Sequence, residues 1–361
     1  MTPTESTYDA VLLTSFGGPE GHDEVMPFLR NVVAGRDVPD DRLAEVAEHY
    51  HANDGRSPIN DQNRALVAAL EDEFADRGID LPILFGNRNW HPLLADTLRD
   101  ADAAGQHRLL ALVTSAYSSY SGCRQYREDL AAARDEAGVD VAIDKVRVYF
   151  NHPGFVSAQA DRVRTSLAEL DPDLRTDARL VFVTHSIPLT MARHASYVAQ
   201  HQEACRLVVE VLADDDEVDW RGGWDLVFCS RSGPPQVPWL EPDVNDHLAA
   251  LAAADTPAVV VVPVGFVSDH MEVIHDLDVE AAETADDLDL VMERAGTVGT
   301  HPDFVAGLAD LVAERTTGGP RDSLGTMGPW HDACPLDCCR IPDREYPSAV
   351  ADAPPTRRPT G

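Results

Sequence analysis

Leu180-Val181-Phe182-Val183-Thr184-His185-Ser186-Ile187-Pro188 and, further along, Val259-Val260-Val261-Val262-Pro263-Val264-Gly265-Phe266-Val267-Ser268-Asp269-His270-Met271-Glu272 share one pattern. Each opens on a short apolar run rich in Val, and each then breaks into polar residues. Runs of this length and composition read as buried parallel strands. In open α/β sheets, ligands bind outside the carboxyl ends of such strands. The first segment therefore delivers an imidazole to the mouth of a cleft, and the second delivers a carboxylate. That pairing suits metal handling and proton removal.

Outward from these segments the chain alternates. Strands are expected at residues 8–15, 81–86, 109–114 and 146–150, then at 178–184, 224–230 and 258–263, with a short one before Arg294. Helices are expected at 40–50, 61–77, 124–137, 153–170, 195–213 and 302–315, with one more starting near Asp269. Asp23 reads as a helix cap, and 115–122 as a loop. This alternation implies an α/β fold with parallel sheets. Two rounds of about four strands imply two similar lobes with a cleft between them. The divisions fall at 8–152, 153–315 and a tail, 316–361, whose end from Ala351 to Gly361 reads as disordered.

A chain of 361 residues that is 44% hydrophobic buries a large core. It carries 62 acidic residues against 29 basic ones, a net charge of −33, and Lys145 is its only lysine. Nucleic acid and anionic membranes are poor partners for such a surface. No run approaches the roughly 18 apolar residues of a membrane span, and Met1 to Ser6 lack signal-peptide character. These features give the expectation of a soluble cytoplasmic protein. Residues 21–39 carry His22, Asp23, Glu24, Arg30, Arg36 and Asp37, a poor membrane lip. A monomer is expected.

Glu272, Asp276 and Glu280 step by four residues. Each such step drifts about 40° around an α-helix, so the three form one acidic stripe, flanked by His275 and Asp278. A widening into a π-helix would align them better. Oxygen ligands in a row suit passage of a hydrated divalent cation; the same spacing also fits a solvated acidic face. His185 is either a ligand and proton acceptor or a packed core histidine, and Pro188 fixes the turn after it. Ser230 to Pro235 and Pro238 to Pro242 form stiff loops that suit a rigid pocket wall. Aromatics at 85–90 and 116–121 suit stacking on a flat ligand. Phe16-Gly17-Gly18-Pro19 lacks the third glycine of a dinucleotide fingerprint. Of six cysteines, Cys334, Cys338 and Cys339 crowd together, which in a cytosolic chain points to a metal or an iron–sulfur cluster, with a zinc site or free thiols as alternatives.

Ser15 to Pro19, Ser57 to Asn60, Gly86-Asn87-Arg88, Thr184 to Pro188, Ser230 to Gly233 and Gly265 to Asp278 together resemble the ferrochelatase family over roughly residues 8–315. The resemblance is nearest to the Gram-positive type that makes coproheme. It implies two Rossmann-like, chelatase-type lobes, each with a four-stranded parallel sheet flanked by helices, and a porphyrin cleft between them. It implies that His185 and Glu272 face each other across the macrocycle at the iron, and that Asp276 and Glu280 continue a metal path. Ser57 and Tyr126 match positions that hold propionates. Phe16 stands where some relatives carry a tyrosine able to ligate iron, so packing on the macrocycle is expected of it instead. Arg30 and Arg56 are extra donors near the cleft. Some relatives carry a [2Fe-2S] cluster with three C-terminal ligands; Cys334, Cys338 and Cys339 match those. Cys123 is the expected fourth, on a partly exposed loop, with Cys205 in reserve and Cys229 a packed thiol.

The implied reaction inserts Fe²⁺, the metal substrate, into coproporphyrin III. Protoporphyrin IX is the alternative substrate. A cobalt chelatase for another tetrapyrrole, which would favour two histidines at the metal, and a porphyrin carrier without turnover are the rival readings.

Overall fold

The computed structural model describes residues 7–35, 38–215, 218–341 and 345–352. Arg36, Asp37 and residues 353–361 of the tail therefore lie outside the described residues.

Two parallel sheets follow one another. The first holds β1 (Ala10–Ser15), β2 (Ile83–Asn87), β3 (Arg108–Val113) and β4 (Ala142–Lys145) in the order β2-β1-β3-β4. The second holds β5 (Arg179–His185), β6 (Trp224–Cys229), β7 (Ala258–Val262) and β8 (Val291–Arg294) in the order β6-β5-β7-β8. The two orders are the same, so β5 occupies in its sheet the central place of β1. All six strand pairs are parallel. Every residue of β1 and β7 is buried, as expected of strands covered by helices on both faces.

One hydrophobic core runs through both halves, including Leu110, Tyr149, Phe150, Phe155, Phe182, Val260 and Phe304. The helices Pro153–Glu169 and Pro302–Thr316 pack on each other, and the latter also packs on the helix Ile59–Arg77 of the first half. A second shared cluster places Met271 with Val25, Phe28, Tyr50 and Trp90, with Phe16 and Ile274 against it. The segment carrying Glu272 is thereby fixed to the first half. At about 1.5–3 kcal/mol per fully buried large apolar side chain, this contact sets a fixed spacing between the halves.

Several expectations are corrected. The fourth strand is Ala142–Lys145, ahead of 146–150. Val146, Val148, Tyr149 and Phe150 are buried in the core between the halves. Their apolar run records that burial rather than a ladder. Asp23 does not cap its helix; Gly21 precedes His22–Val32, and Asp23 lies in its first turn. The expected loop ends in a π-helical turn, Tyr120–Arg124, capped by Ser119 Oγ accepting from Gly122 N at 2.8 Å. Tyr117 and Trp90 are packed rather than presented to a ligand. Tyr117 stacks on His201 at 3.6 Å and donates to Val264 O at 2.9 Å, and Trp90 donates to Glu24 at 2.7 Å.

The tail is placed up to Asp352. Leu324 N donates to Asn151 O at 2.8 Å, Arg124 Nη1 to Leu336 O at 3.0 Å, and Arg127 Nε to Val350 O at 2.8 Å. Cys334 N donates to Ala351 O at 2.9 Å, and Asp352 pairs with Arg127. Ala351 and Asp352 are thus part of the fold. Among the described residues no helix is long and apolar enough to cross a membrane.

Candidate active site and cysteine cluster

His185 is the last residue of β5. Its backbone is locked from behind. The Thr184 hydroxyl bonds the Tyr197 hydroxyl at 2.7 Å and His201 Nε2 at 2.9 Å, and Tyr197 donates to His185 O at 2.9 Å. Ser186 N donates to Cys229 O at 2.7 Å. The His185 Nδ1 faces Ser186 O, a carbonyl that only accepts. In the neutral tautomer this contact favours, Nδ1 carries the hydrogen and the lone pair is on Nε2. Gly265 is required here, because a Cβ on it would lie 2.1 Å from Thr184 Oγ1.

Glu272 sits on the single turn Met271–Val273, which opens into the π-helix Ile274–Glu280 and continues as Ala281–Asp287. His185 Nε2 and Glu272 Oε2 are 3.6 Å apart, and the side chains are 31% and 56% exposed, so both meet solvent. This distance corrects the expectation that the two face each other across the macrocycle. A flat ring needs about 3.5 Å of van der Waals separation on each side. As they stand, the two groups are too close for a flat ring to lie between them.

Glu272, Asp276 and Glu280 follow one another along a helix that widens into the π-helix Ile274–Glu280. Burial, with the Glu272 and Glu280 carboxylates, pushes Asp276 up to about 6, against the Ser230 hydroxyl that donates to it. Ser230 holds the left-handed backbone (φ +60°) that aims this hydroxyl. His275 Nε2 lies 3.3 Å from Glu280 and its ring stacks on His49 at 3.6 Å. The donor atoms of His275, Asp276 and Glu280 lie within 4.8 Å of one another. Burial keeps His270 below the usual imidazole range; it packs edge-on against Phe266 at 5.2 Å.

The other expected residues are spread around the first half. Phe16 meets Phe28 edge-on at 6.2 Å, with the Arg88 guanidinium 5.7 Å from its ring centre. Tyr126 is buried beneath Arg88, whose guanidinium lies 4.4 Å from its ring centre. Ser57 is buried, with its N–H on Pro19 O at 2.9 Å. Arg30 is exposed and pairs with Asp40 at 2.9 Å, and Arg56 with Asp61 at 2.9 Å.

The expected cysteines come together across more than two hundred residues of chain. Cys334 bonds both Cys123 and Cys338, and Cys338 lies 3.8 Å from Cys339. Cys339 has a left-handed backbone (φ +57°), which lets adjacent thiols approach one another. Cys123 is buried on the π-helical turn rather than exposed on a loop. Cys334 is held well below the usual thiol range by hydrogen bonds with Cys123 and Cys338, and Cys339 is lowered by its bond with Cys338. Cys205 is buried on the helix Tyr197–Ala213, and Cys229 is buried in β6. His331 joins the group, 3.7 Å from Cys338. Its position three residues before Cys334 was a signal that the cysteine pattern alone did not use. The donor atoms of His331, Cys334 and Cys338 lie within 4.8 Å of one another, with Cys123 bonded to Cys334 and Cys339 beside Cys338, and thiols with an imidazole are the donor types that an iron–sulfur cluster or a zinc ion takes. Tyr197 and His201 carry no sequence motif, and only the fold shows their place behind the site; for Ser230, in the Ser230 to Gly233 segment, the fold adds the bond to Asp276.

Three comparisons bear on this geometry. The family model described as ferrochelatase matches residues 8–316. The chain is 50% identical to a coproporphyrin III ferrochelatase of Streptomyces griseus, covering 96% of this chain and 97% of that one. It is 51% identical to a coproporphyrin III ferrochelatase of Streptomyces coelicolor, over 97% and 98% of the two chains. It is also 51% identical to a ferrochelatase of Rhodopirellula baltica, over 95% and 96%. Among solved structures, SirB from Bacillus subtilis with Fe³⁺ superposes with a TM-score of 0.54 at 12% identity, over 86% of this chain and 96% of that one. The last likeness speaks to the chelatase-type fold alone. With the family model spanning both sheets and half of all residues shared with those relatives, the chain belongs to the ferrochelatase family.

Proposed function

We propose that this protein inserts Fe²⁺ into coproporphyrin III to form coproheme, with His185 and Glu272 at the metal. The observation that carries the reading is the 3.6 Å approach of His185 Nε2 to Glu272 Oε2 at the end of β5. The relatives in Streptomyces griseus and Streptomyces coelicolor supply the porphyrin.

The chemistry needs four acts. A flat apolar disc is held and bent, metal-bound water is stripped, and two pyrrole protons leave as Fe²⁺ enters. Phe16, on the apolar cluster that also carries Met271, offers a packing surface for the disc. Ser57, Tyr126 and Arg30 are proposed for the propionates. His185 Nε2 has the lone pair and the aim of a proton acceptor. Glu272 is the metal-delivering ligand, because a carboxylate can exchange with water on a hydrated divalent cation. Asp276 and Glu280 extend the donors outward along one helix face. Protons leaving as the cation arrives keep the charge of the site nearly constant. Affinity trends make Zn²⁺ a competing metal.

Cys123, Cys334, Cys338 and Cys339 are proposed to hold a [2Fe-2S] cluster, with His331 the other donor in reach. Insertion transfers no electrons, so such a cluster would serve structure or sensing. Visible absorption of the anaerobic protein, with iron and labile sulfide counted, tests it.

The test of the activity is anaerobic Fe²⁺ insertion, followed at the Soret band with coproporphyrin III and protoporphyrin IX in parallel. Glu272→Gln should abolish insertion and leave porphyrin binding intact. If the wild type binds the porphyrin and never metallates it, a carrier is the correct reading. Preference for protoporphyrin IX would move the substrate assignment.

A further inference from the structure

Lys145, the only lysine of the chain, is 2% exposed at the end of β4. Its ammonium donates to Val146 O at 3.0 Å. The buried arginines near it are each matched by a carboxylate. Arg124 meets Glu128 at 2.6 Å, Arg147 meets Glu314 at 2.7 Å, and Arg127 meets Asp352. Among the described residues no carboxylate pairs with Lys145. Lys145, Cys123 and Arg147, whose charge is already matched by Glu314, line one small cavity of about 10 Å³, together with Ser115 and Gly122. That is space for at most about one water, so solvent does not screen the ammonium there. Its charge favours the thiolate forms of Cys123, Cys334 and Cys339, for Cys339 after that of Arg127.

A charge in a dry interior needs an opposite one. Four thiolates around a zinc ion, or around an oxidised [2Fe-2S] core, leave the assembly doubly negative, and reduction of the core adds one negative charge more. Net charge is one of the levers on a cluster's reduction potential. We propose that Lys145 is the fixed counter-charge of a thiolate-held metal group, and that it raises the reduction potential of an iron–sulfur cluster bound there. The second half of this statement rests on the cluster reading above.

The test uses the full chain, reconstituted anaerobically with ferrous iron and sulfide. The wild type, Lys145→Met and Lys145→Arg are titrated with dithionite through mediators, and electron paramagnetic resonance follows the reduced cluster. At the wild-type midpoint, Lys145→Met should hold at least tenfold less reduced relative to oxidised cluster, about 59 mV for a one-electron couple. Lys145→Arg, which keeps the charge, should stay within about threefold of the wild type. In parallel, Zn²⁺ is titrated into metal-free protein against a chromogenic chelator, where Lys145→Met should bind at least tenfold more weakly. Lys145→Gln replaces Lys145→Met if circular dichroism shows the latter unfolded. An unchanged midpoint and unchanged zinc affinity in the neutral variant overturn the proposal. So does Lys145→Arg shifting as far as Lys145→Met, because packing would then be the cause. A wild type that assembles no cluster, yet loses zinc affinity without Lys145, sinks the cluster reading and keeps the counter-charge.

Discussion

Replacing His201 by Gln should change how this protein responds to acid. His201 is fully buried behind β5, stacked on Tyr117 at 3.6 Å and bonded to Thr184, the residue before His185. Burial pushes its imidazole down to about 3 from an ordinary 6.5. The unfolded chain therefore binds a proton at this residue between pH 6.5 and 3 that the folded chain refuses. Stability is unaffected above pH 6.5 and is lost as pH falls through that window. At pH 4.5 the gap of two units below the unfolded value amounts to about 3 kcal/mol. With an unfolding entropy of about 2.1 cal/mol/K per residue, that is about 4 °C in melting temperature. Gln has no proton to refuse, but it loses the ring stack and a well-placed acceptor, at a cost of about 2 kcal/mol at pH 7.5. The measurement is thermal melting of both proteins by circular dichroism at pH 7.5 and pH 4.5. His201→Gln should melt lower at pH 7.5 and level with the wild type, or higher, at pH 4.5. An equal gap at the two pH values would refute the linkage.

Two further outcomes follow from the site itself. In metal-free protein, Asp276→Asn should stabilise the fold above pH 6 by about 3 kcal/mol. The reason is that Asp276 titrates at about 6 rather than 3.8, so stability falls as pH rises through that interval. The same variant should need more Fe²⁺ for half-maximal insertion, which an iron titration at saturating porphyrin reads. Gly265→Ala should destabilise by about 3 kcal/mol or more, because Thr184 is pinned by Tyr197 and His201 and cannot yield the 2.1 Å contact. Wild-type-like melting of that variant would show the loop to be free to move.

The chain by itself determined the alternation of strands and helices, because the length and apolar content of each run are local properties. It placed β5 and β7 almost to the residue, and it placed the acidic stripe, because a spacing of four on a helix needs no distant partner. It missed β4 by four residues: Val146 to Phe150 carry the apolar signature of a strand while lying in the core between the halves. It named the four cysteines through a family resemblance, but not His331 beside them. Only tertiary structure decided that His185 and Glu272 lie side by side, because a distance of 3.6 Å between residues 87 positions apart depends on how β5 and β7 pair. Only tertiary structure brought the lone lysine to the same cavity as Cys123, and gave the Thr184 hydroxyl its two anchors. Those contacts are set by the packing of both sheets around a shared core, and no periodicity along the chain encodes them.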